Sequence, residues 1–321
     1  TNASNAINYT AGAGGGLFTG STGFVSIDSL ESIEFNNKLT LTINGGSGDD
    51  VINLNNSTTP GALTAITVNA GDPTDSDTLI MNADAATADT LTLVPMAQGA
   101  GTIVTSSSNI VDVAFTGVED LSLVGQLNNV GGGPSFDTFG VDGTSGDDVF
   151  EYFVGDTIDS GTVLGTMNLT GAAFGLPTIN FTGMHPAQTR TFNTQGNQGG
   201  NDAFRFVATS ARDTLTYNDG SANPGQLLHA VEGVSVGVLQ LGSSNATPPG
   251  STTEVLLQGQ GGGDTFNIWA DNTVAVVAAG GQPDSGSDVL NFFAQGAAPL
   301  NLGDADTDDA ATRSNADVPH V

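Results

Sequence analysis

Residues 39–54 have the sequence LTLTINGGSGDDVINL, two strand-like runs joined by a turn of glycine and aspartate. Apolar and polar residues alternate in both runs, which is the period of a half-buried β-strand. A similar phrase, LTAITVNAGDPTDSDTLIM, begins at Leu63, and EVLLQGQGGGDTFNIW occupies residues 254–269. A strand–turn–strand phrase repeated at a short interval predicts a fold built from stacked strands.

Short apolar runs bounded by turn residues predict strands along most of the chain. These runs lie at residues 39–44, 51–54, 63–69, 77–82, 89–95, 120–125, 148–154, 202–208, 213–218, 254–259, 264–270 and 288–293. Helical periodicity is weak, and residues 228–235 would form one helical turn at most. We expect an all-β fold, a parallel β-solenoid (β-helix) with coils of about 24 residues. The alternative is a set of tandem β-sandwich domains, but phrases that follow one another directly favour the solenoid.

A longer repeat is superimposed on the short one. The segments LESIEF, VEDLSL and VEGVSV, at residues 30–35, 118–123 and 231–236, each precede a new glycine-rich turn. We expect one elongated β-repeat domain over residues 1–302, followed by an acidic polar tail at residues 303–321. Its internal units span residues 36–125, 126–237 and 238–302, with residues 1–35 as the end of a preceding unit. Units that are out of phase with the ends predict assembly head to tail.

The charge of the chain is strongly negative. Its 321 residues include 34 Asp and Glu but only five Lys and Arg, for a net charge of −29. Phosphate backbones and anionic membranes attract basic residues, so this composition argues against both as partners. Cysteine is absent, which excludes disulfides and thiolate metal sites. Cations or high salt would relieve the repulsion among the carboxylates.

The turn at residues 45–53, GGSGDDVIN, has the pattern G-G-x-G-x-D-x-U-x, the nonapeptide of RTX proteins. Glycine permits the positive φ of a tight turn, and aspartate supplies the hard oxygen that calcium prefers. The chain therefore resembles the glycine- and aspartate-rich, calcium-associated β-repeats of large secreted bacterial surface proteins. The resemblance implies that Asp50 is a calcium ligand and that Gly46 and Gly48 shape the loop.

Two further turns match less fully. GTSGDDVFE at residues 143–151 has Thr144 in place of a glycine, and GQGGGDTFN at residues 259–267 has Gln260. The turns that end in Asp77, Asp202 and Asp288 are looser versions. RTX nonapeptides run in tandem, whereas these motifs are isolated. The alternative for each turn is that aspartate caps a strand by accepting backbone hydrogen bonds.

The candidate calcium ligands are aspartates in these turns and in the tail. They are Asp49, Asp50, Asp75, Asp77, Asp147, Asp148, Asp264, Asp288, Asp304, Asp306 and Asp308. The last three belong to DADTDD, residues 304–309, which resembles the start of an EF-hand loop. That loop lacks the expected glycine and closing glutamate, so the alternative is a solvated acidic segment.

Catalytic patterns are weak, and we expect no enzymatic activity. His185, His229 and His320 lie far apart, without a zinc-binding spacing. No nucleophile elbow, phosphate-binding loop or dinucleotide fingerprint occurs. Arg190, Arg205 and Arg212 could line a carbohydrate groove near His185 or simply balance acidic charge. The single tryptophan, Trp269, is predicted to pack in the core or at an edge.

The resemblance implies an extracellular structural protein, a repeat module of a surface layer, matrix filament or adhesin stalk, stabilised by calcium. Its partners would be copies of itself, neighbouring repeats of a longer chain, or surface glycans, with no nucleic acid and no membrane insertion. Two alternatives remain. One is a β-helix polysaccharide lyase or hydrolase, and the other is a carbohydrate-binding adhesin module.

Overall fold

The computed structural model describes residues 3–13, 21–28, 30, 32–55, 60, 62–71, 76–85, 87–126, 136–169, 171–193, 200–217, 225–241, 252–270, 274–281, 288–294 and 312–313. All regular secondary structure in these residues is β-strand, which confirms the all-β prediction. Within the same residues, no helix has the length and apolar character needed to cross a membrane.

The strands form two large mixed sheets of 13 strands each, numbered here in chain order. The first sheet contains β1 (Ala6–Ala13), β2 (Ser21–Ile27), β3 (Ile33–Phe35), β5 (Val51–Asn55), β7 (Thr78–Asn82), β11 (Asp120–Val124), β13 (Val149–Val154), β14 (Gly161–Leu169), β15 (Ala172–Gly175), β16 (Thr178–Thr182), β18 (Asp202–Val207), β22 (Thr252–Gln258) and β24 (Ala275–Ala279). The second sheet contains β4 (Thr40–Gly46), β6 (Ala65–Gly71), β8 (Thr90–Ala97), β9 (Ala100–Thr105), β10 (Val113–Thr116), β12 (Thr138–Asp142), β17 (Thr189–Asn193), β19 (Asp213–Tyr217), β20 (Gln226–Val231), β21 (Val234–Leu241), β23 (Thr265–Ala270), β25 (Val289–Ala294) and β26 (Thr312–Arg313). All twelve predicted runs coincide with strands.

The chain passes back and forth between the two sheets, and strands one passage apart pair in parallel. Near the N-terminus β4 pairs with β6, and the side-chain bond between Asn44 and Asn69 of these strands spans 25 residues. Near the C-terminus β23 pairs with β25, and the bond between Asn267 and Asn291 spans 24 residues. The predicted interval is therefore present at both ends of the stack.

Antiparallel excursions lengthen this interval in the middle of the chain. The segments β8–β10, β13–β16 and β19–β21 each fold back within one sheet before the chain crosses over. As a result, β13 pairs in parallel with β18, and the bond from Asp148 to Asp202 at the start of these strands spans 54 residues. A uniform coil does not hold there, and residues 228–235 belong to the hairpin of β20 and β21 rather than to a helical turn.

The core lies between the inner faces of the two sheets. Alternate residues of each strand point inward and stack in register, as in the row Ile52, Leu79 and Leu121. In the central part of the chain the interior is aromatic, with Tyr152 stacked on Phe206 at 5.4 Å between ring centroids. This alternation is what aims the intervening polar residues outward and fixes the turns at the sheet edges.

Candidate functional site

Acidic side chains occupy the turns where the chain crosses between the sheets. Each stands at the first residue of the following strand or immediately before it, as Asp50 does before β5. Most of these carboxylates are fully buried, among them Asp50, Asp77, Asp148 and Asp264. A buried carboxylate needs several hydrogen bonds to offset its lost hydration, so the partners of these groups define the site.

Along one edge of the stack the carboxylates bond from turn to turn. The N–H of Asp50 donates to Oδ1 of Asp77 at 2.8 Å, and the N–H of Asp77 donates to Oε2 of Glu119 at 2.9 Å. On the other side, Asp50 Oδ1 accepts the N–H of Asn5 at 2.7 Å. We call such a series a carboxylate ladder, because each acid satisfies a backbone donor of the preceding turn.

The same bond recurs at other crossings. Its further donor–acceptor pairs, each from a backbone N–H to a carboxylate oxygen at 2.8 or 2.9 Å, are Asp148 to Asp202, Asp89 to Asp137, Asp213 to Asp264 and Asp264 to Asp288. The pair Asp148–Asp202 lies where the chain passes from the second sheet to the first, and the other pairs lie at the opposite crossings. The ladders therefore follow both edges of the stack.

The doubled aspartates of the Gly-Asp-Asp turns form a reciprocal pair of bonds with the next turn. The N–H of Asp50 donates forward to Asp77, while Asp49 Oδ1 accepts the N–H of Ser76 at 3.0 Å. The second turn repeats this arrangement, since Asp147 Oδ1 accepts the N–H of Asn201 at 2.7 Å. The exposed first aspartate and the buried second one therefore have separate bonding roles.

In two turns a threonine closes the loop onto its own aspartate. Thr144 donates both its N–H and its Oγ1–H to Asp148, the hydroxyl at 2.7 Å. Thr209 does the same for Asp213, at 3.1 Å from the N–H and 2.8 Å from the hydroxyl. Thr144, which departs from the RTX pattern, is thus explained as a carboxylate donor.

In two other turns backbone conformation replaces the threonine. Gly48 and Gly262, each two residues before the aspartate, have φ of 107° and 102°. Gln260 keeps a positive φ of 77°, although it is not glycine. A Cβ at Gly45 would lie 2.4 Å from Asp50 Oδ2, so glycine is required where the strand passes the carboxylate.

Burial raises the pKa of several acids in this system. The pKa of Glu119 and that of Asp89 lie above their usual values because burial disfavours the charged form, and backbone hydrogen bonds only partly offset that effect. The neighbouring carboxylates Asp77 and Asp137 add to the increase. The pKa of Asp142, at the end of β12, is raised by burial as well.

The structure places the predicted calcium ligands in different environments. Asp50, Asp77, Asp148 and Asp264 are buried in ladders, Asp288 is half-buried, and Asp49 and Asp147 are exposed. Asp75, Asp304, Asp306 and Asp308 lie outside the described residues. In the part of the chain that the structure describes, no three His, Cys, Asp or Glu side chains come together as a metal site would need. These turns therefore do not fit a calcium site made from several carboxylates.

The arginines that could have lined a carbohydrate groove do not converge. Arg190 is fully buried, with its guanidinium 5.4 Å from the ring centroid of Phe181 and Nη2 donating to Met184 O at 3.3 Å. Arg205 lies on the outer face of β18 and pairs with Glu151 at 3.2 Å. Its Nη2 also donates to Gln258 at 2.7 Å, so this arginine balances charge across three strands.

The remaining aromatic and histidine candidates have packing partners. Trp269 stacks on Phe293 of the neighbouring strand at 4.0 Å between ring centroids. His229 is buried, and its Nε2 lies 2.5 Å from Asp213 Oδ1. His185, in contrast, packs on Phe136 at 4.8 Å.

Sequence reasoning missed several members of the ladders. Glu119, Asp89, Asp137 and Asp213 were not among the candidate residues, and Asp202 was named only as a loose turn. A signal was present, because the acid is followed two residues later by an inward apolar residue, as in Asp137-Thr138-Phe139. The sequence matches no protein-family model and no curated protein.

Proposed function

We propose that this chain is a structural module, a strand-stacked element of an extracellular surface assembly such as a surface layer, matrix filament or adhesin stalk. The finer fold assignment in this proposal is a β-solenoid with hairpin insertions. The observation that supports it best is the carboxylate ladder, in which Asp50 bonds to Asp77 and Asp77 to Glu119. Bonds of this kind join each turn to the next and are suited to mechanical continuity.

Outward side chains support the same role. Asn69 Nδ2 donates to Asn44 Oδ1 at 2.7 Å, and Thr116 Oγ1 donates to Asn69 Oδ1 at 3.1 Å, across three adjacent strands. Asparagine ladders of this type stabilise stacked, in-register parallel strands. They link consecutive strands on the solvent side, while the carboxylate ladders link the turns.

An enzymatic function has weaker support. A polysaccharide lyase or hydrolase needs acids that are free to act on a substrate, but the described turn carboxylates accept backbone N–H groups. Arg190 is enclosed in the core and Arg205 is paired with Glu151. The carbohydrate-binding alternative requires a row of exposed aromatic side chains, whereas Trp269 is stacked on Phe293.

Calcium remains a prediction of the sequence resemblance. Within the described turns, Asp50 Oδ2 is a buried oxygen with no hydrogen-bond partner. One such oxygen is fewer than the six to eight ligands that calcium takes. The acidic residues Asp304, Asp306 and Asp308 stay candidates.

Small-angle X-ray scattering combined with single-molecule pulling tests the structural role. We expect an elongated particle that resists extension until whole turns unfold, and a ladder variant such as Asp202→Ala should unfold at lower force. An isometric particle, or equal unfolding forces for both proteins, would contradict the proposal. Turnover of acidic polysaccharides by the purified chain would favour the enzyme instead.

A further inference from the structure

Both sheets end in open edge strands at each end of the stack. At one end these are β3 of the first sheet and β4 of the second, which follow one another in the chain, and we call this pair the N-terminal edge. At the other end β24 and β25 follow one another in the chain, and we call them the C-terminal edge. The short strand β26 pairs with Val289 and Leu290 of β25, so the rest of that strand lies beyond its register.

The two edges are compatible in strand direction. Between β4 and β25 the second sheet contains four antiparallel steps, two at β8–β10 and two at β19–β21, and the other steps are parallel. An even number of reversals leaves β4 and β25 pointing the same way. The same holds for β3 and β24, where the reversals occur at β1–β3 and β13–β16. A second copy shifted along the stack would therefore continue both sheets with parallel pairs.

The N-terminal edge exposes large apolar side chains. Leu30, Ile33 and Leu39 are 69%, 64% and 66% exposed, although they lie close together in the sequence. At the C-terminal edge Val277 of β24 is 47% exposed. Exposed edges with apolar side chains are templates for pairing with another chain.

The asparagine ladders have a direction, and this direction selects the partner. In the ladder near the N-terminus, Asn69 donates its amide to Asn44, which leaves the Asn44 amide nitrogen on the open side of β4. In the ladder near the C-terminus, Asn291 donates to Asn267 at 2.8 Å, which leaves the Asn291 oxygen as the acceptor on the last rung. One edge thus offers a donor and the other an acceptor, whereas two N-terminal edges would confront donor with donor.

We propose that the N-terminal edge of one copy docks on the C-terminal edge of a second copy, head to tail, with Asn44 opposite Asn291. This register places Gly46 opposite Phe293, so the aromatic stack of Phe293 on Trp269 meets a residue without a side chain. The contact is heterologous and would extend into a filament unless it closes into a ring. The inference rests on the proposed structural role and names its partner.

Sedimentation velocity and light scattering of the full chain test this contact, at about 1 M NaCl, where the Debye length of about 3 Å screens the net negative charge. We expect the mass of the wild type to grow with concentration. Ile33→Asp and Val277→Asp should each remain monomeric, because each blocks one edge. Val234→Asp is the matched control, since Val234 is 60% exposed but lies on the β20–β21 hairpin, and it should assemble like the wild type.

Mixing the two blocked variants distinguishes the direction of the contact. Ile33→Asp retains a C-terminal edge and Val277→Asp retains an N-terminal edge, so the mixture should form heterodimers and nothing larger. A dimer of Val277→Asp alone would show pairing of two N-terminal edges and overturn the proposed direction. A wild type that stays monomeric would overturn the contact while leaving the elongated particle of the structural proposal intact.

Discussion

The backbone N–H of Asp50 donates a 2.8 Å hydrogen bond to Oδ1 of Asp77, which lies 27 residues further along the chain. Both residues are fully buried, so neither the amide nor the carboxylate can turn to water instead. The bond therefore couples two turns that would otherwise be joined only through their strands. Because it recurs from Asp148 to Asp202 and from Asp264 to Asp288, it is a property of the repeat rather than of one turn.

Removing one ladder carboxylate should be costly. Asp77→Ala leaves the buried N–H of Asp50 without its acceptor, and we expect the free energy of unfolding to fall by about 1–3 kcal/mol. Asp156→Ala is the control, because Asp156 is exposed and its loss only reduces the negative charge. Urea titration of both variants measures the effect, and equal stabilities would argue against the ladder.

Gln260→Gly should stabilise the protein. Gln260 has a φ of 77°, where a side chain costs about 1 kcal/mol or more and glycine does not. The greater freedom of glycine in the unfolded chain offsets part of that gain. Gln226→Gly, within β20, should instead lower stability by about 0.5–1 kcal/mol. Thermal unfolding that shifts both variants in the same direction would be inconsistent with strain at residue 260.

Stability should rise as the pH falls from about 8 toward about 5. Burial raises the pKa of Glu119, Asp89 and Asp142 in the folded protein, so the folded state binds more protons than the unfolded chain. The gain is complete below the unfolded pKa values and is lost as the pH rises through the folded ones. Glu119→Gln, which keeps an acceptor for the Asp77 N–H, should flatten the profile of unfolding temperature against pH. A wild-type profile that rises with pH over this range would contradict the assignment.

The buried arginine should be dispensable for stability. Arg190 Nε and Nη1 have no hydrogen-bond partner within the described residues, so its charge is poorly compensated. We expect Arg190→Met to be neutral or stabilising by about 1–4 kcal/mol, as for other buried charges replaced by apolar groups. Arg205→Met, which loses the half-exposed pair with Glu151, should cost about 1 kcal/mol or less. A large loss for Arg190→Met alone would assign that guanidinium a partner essential to the fold.

Divalent cations should stabilise the chain without strong selectivity. A net charge of −29 is relieved by any cation, whereas a specific site would prefer calcium to magnesium because the two ions differ in size and coordination. We expect similar shifts in unfolding temperature with calcium and magnesium at equal ionic strength. A large shift with calcium alone, abolished in an Asp304→Asn, Asp306→Asn, Asp308→Asn variant, would locate the site in the acidic tail.

The sequence predicted the strands well because period-two alternation and Gly/Asp turns are local signals. It also predicted the short interval between parallel strands, which holds for β23 and β25. The hairpins at β13–β16 and β19–β21 were missed, since an antiparallel return and a crossover begin with the same alternating pattern. Only tertiary structure distinguishes them.

The role of the aspartates was left open by the sequence for a related reason. A Gly-Asp turn looks the same whether its carboxylate receives calcium or an amide from the preceding turn. The partner of Asp77 is 27 residues away, and that of Asp202 is 54 residues away. Such distances are set by the number of hairpins between two crossings, which the turn motif itself does not encode.

Amide hydrogen exchange in EGTA tests the ladder most directly. In the wild type, the N–H groups of Asp50, Asp148 and Asp264 should exchange only through global unfolding, although no divalent cation is present. In Asp202→Ala the amide of Asp148 should lose its protection while that of Asp264 keeps most of its own. Rapid exchange of all three amides in the wild type, restored to slow exchange by calcium, would contradict the account and show that the metal holds the turns together.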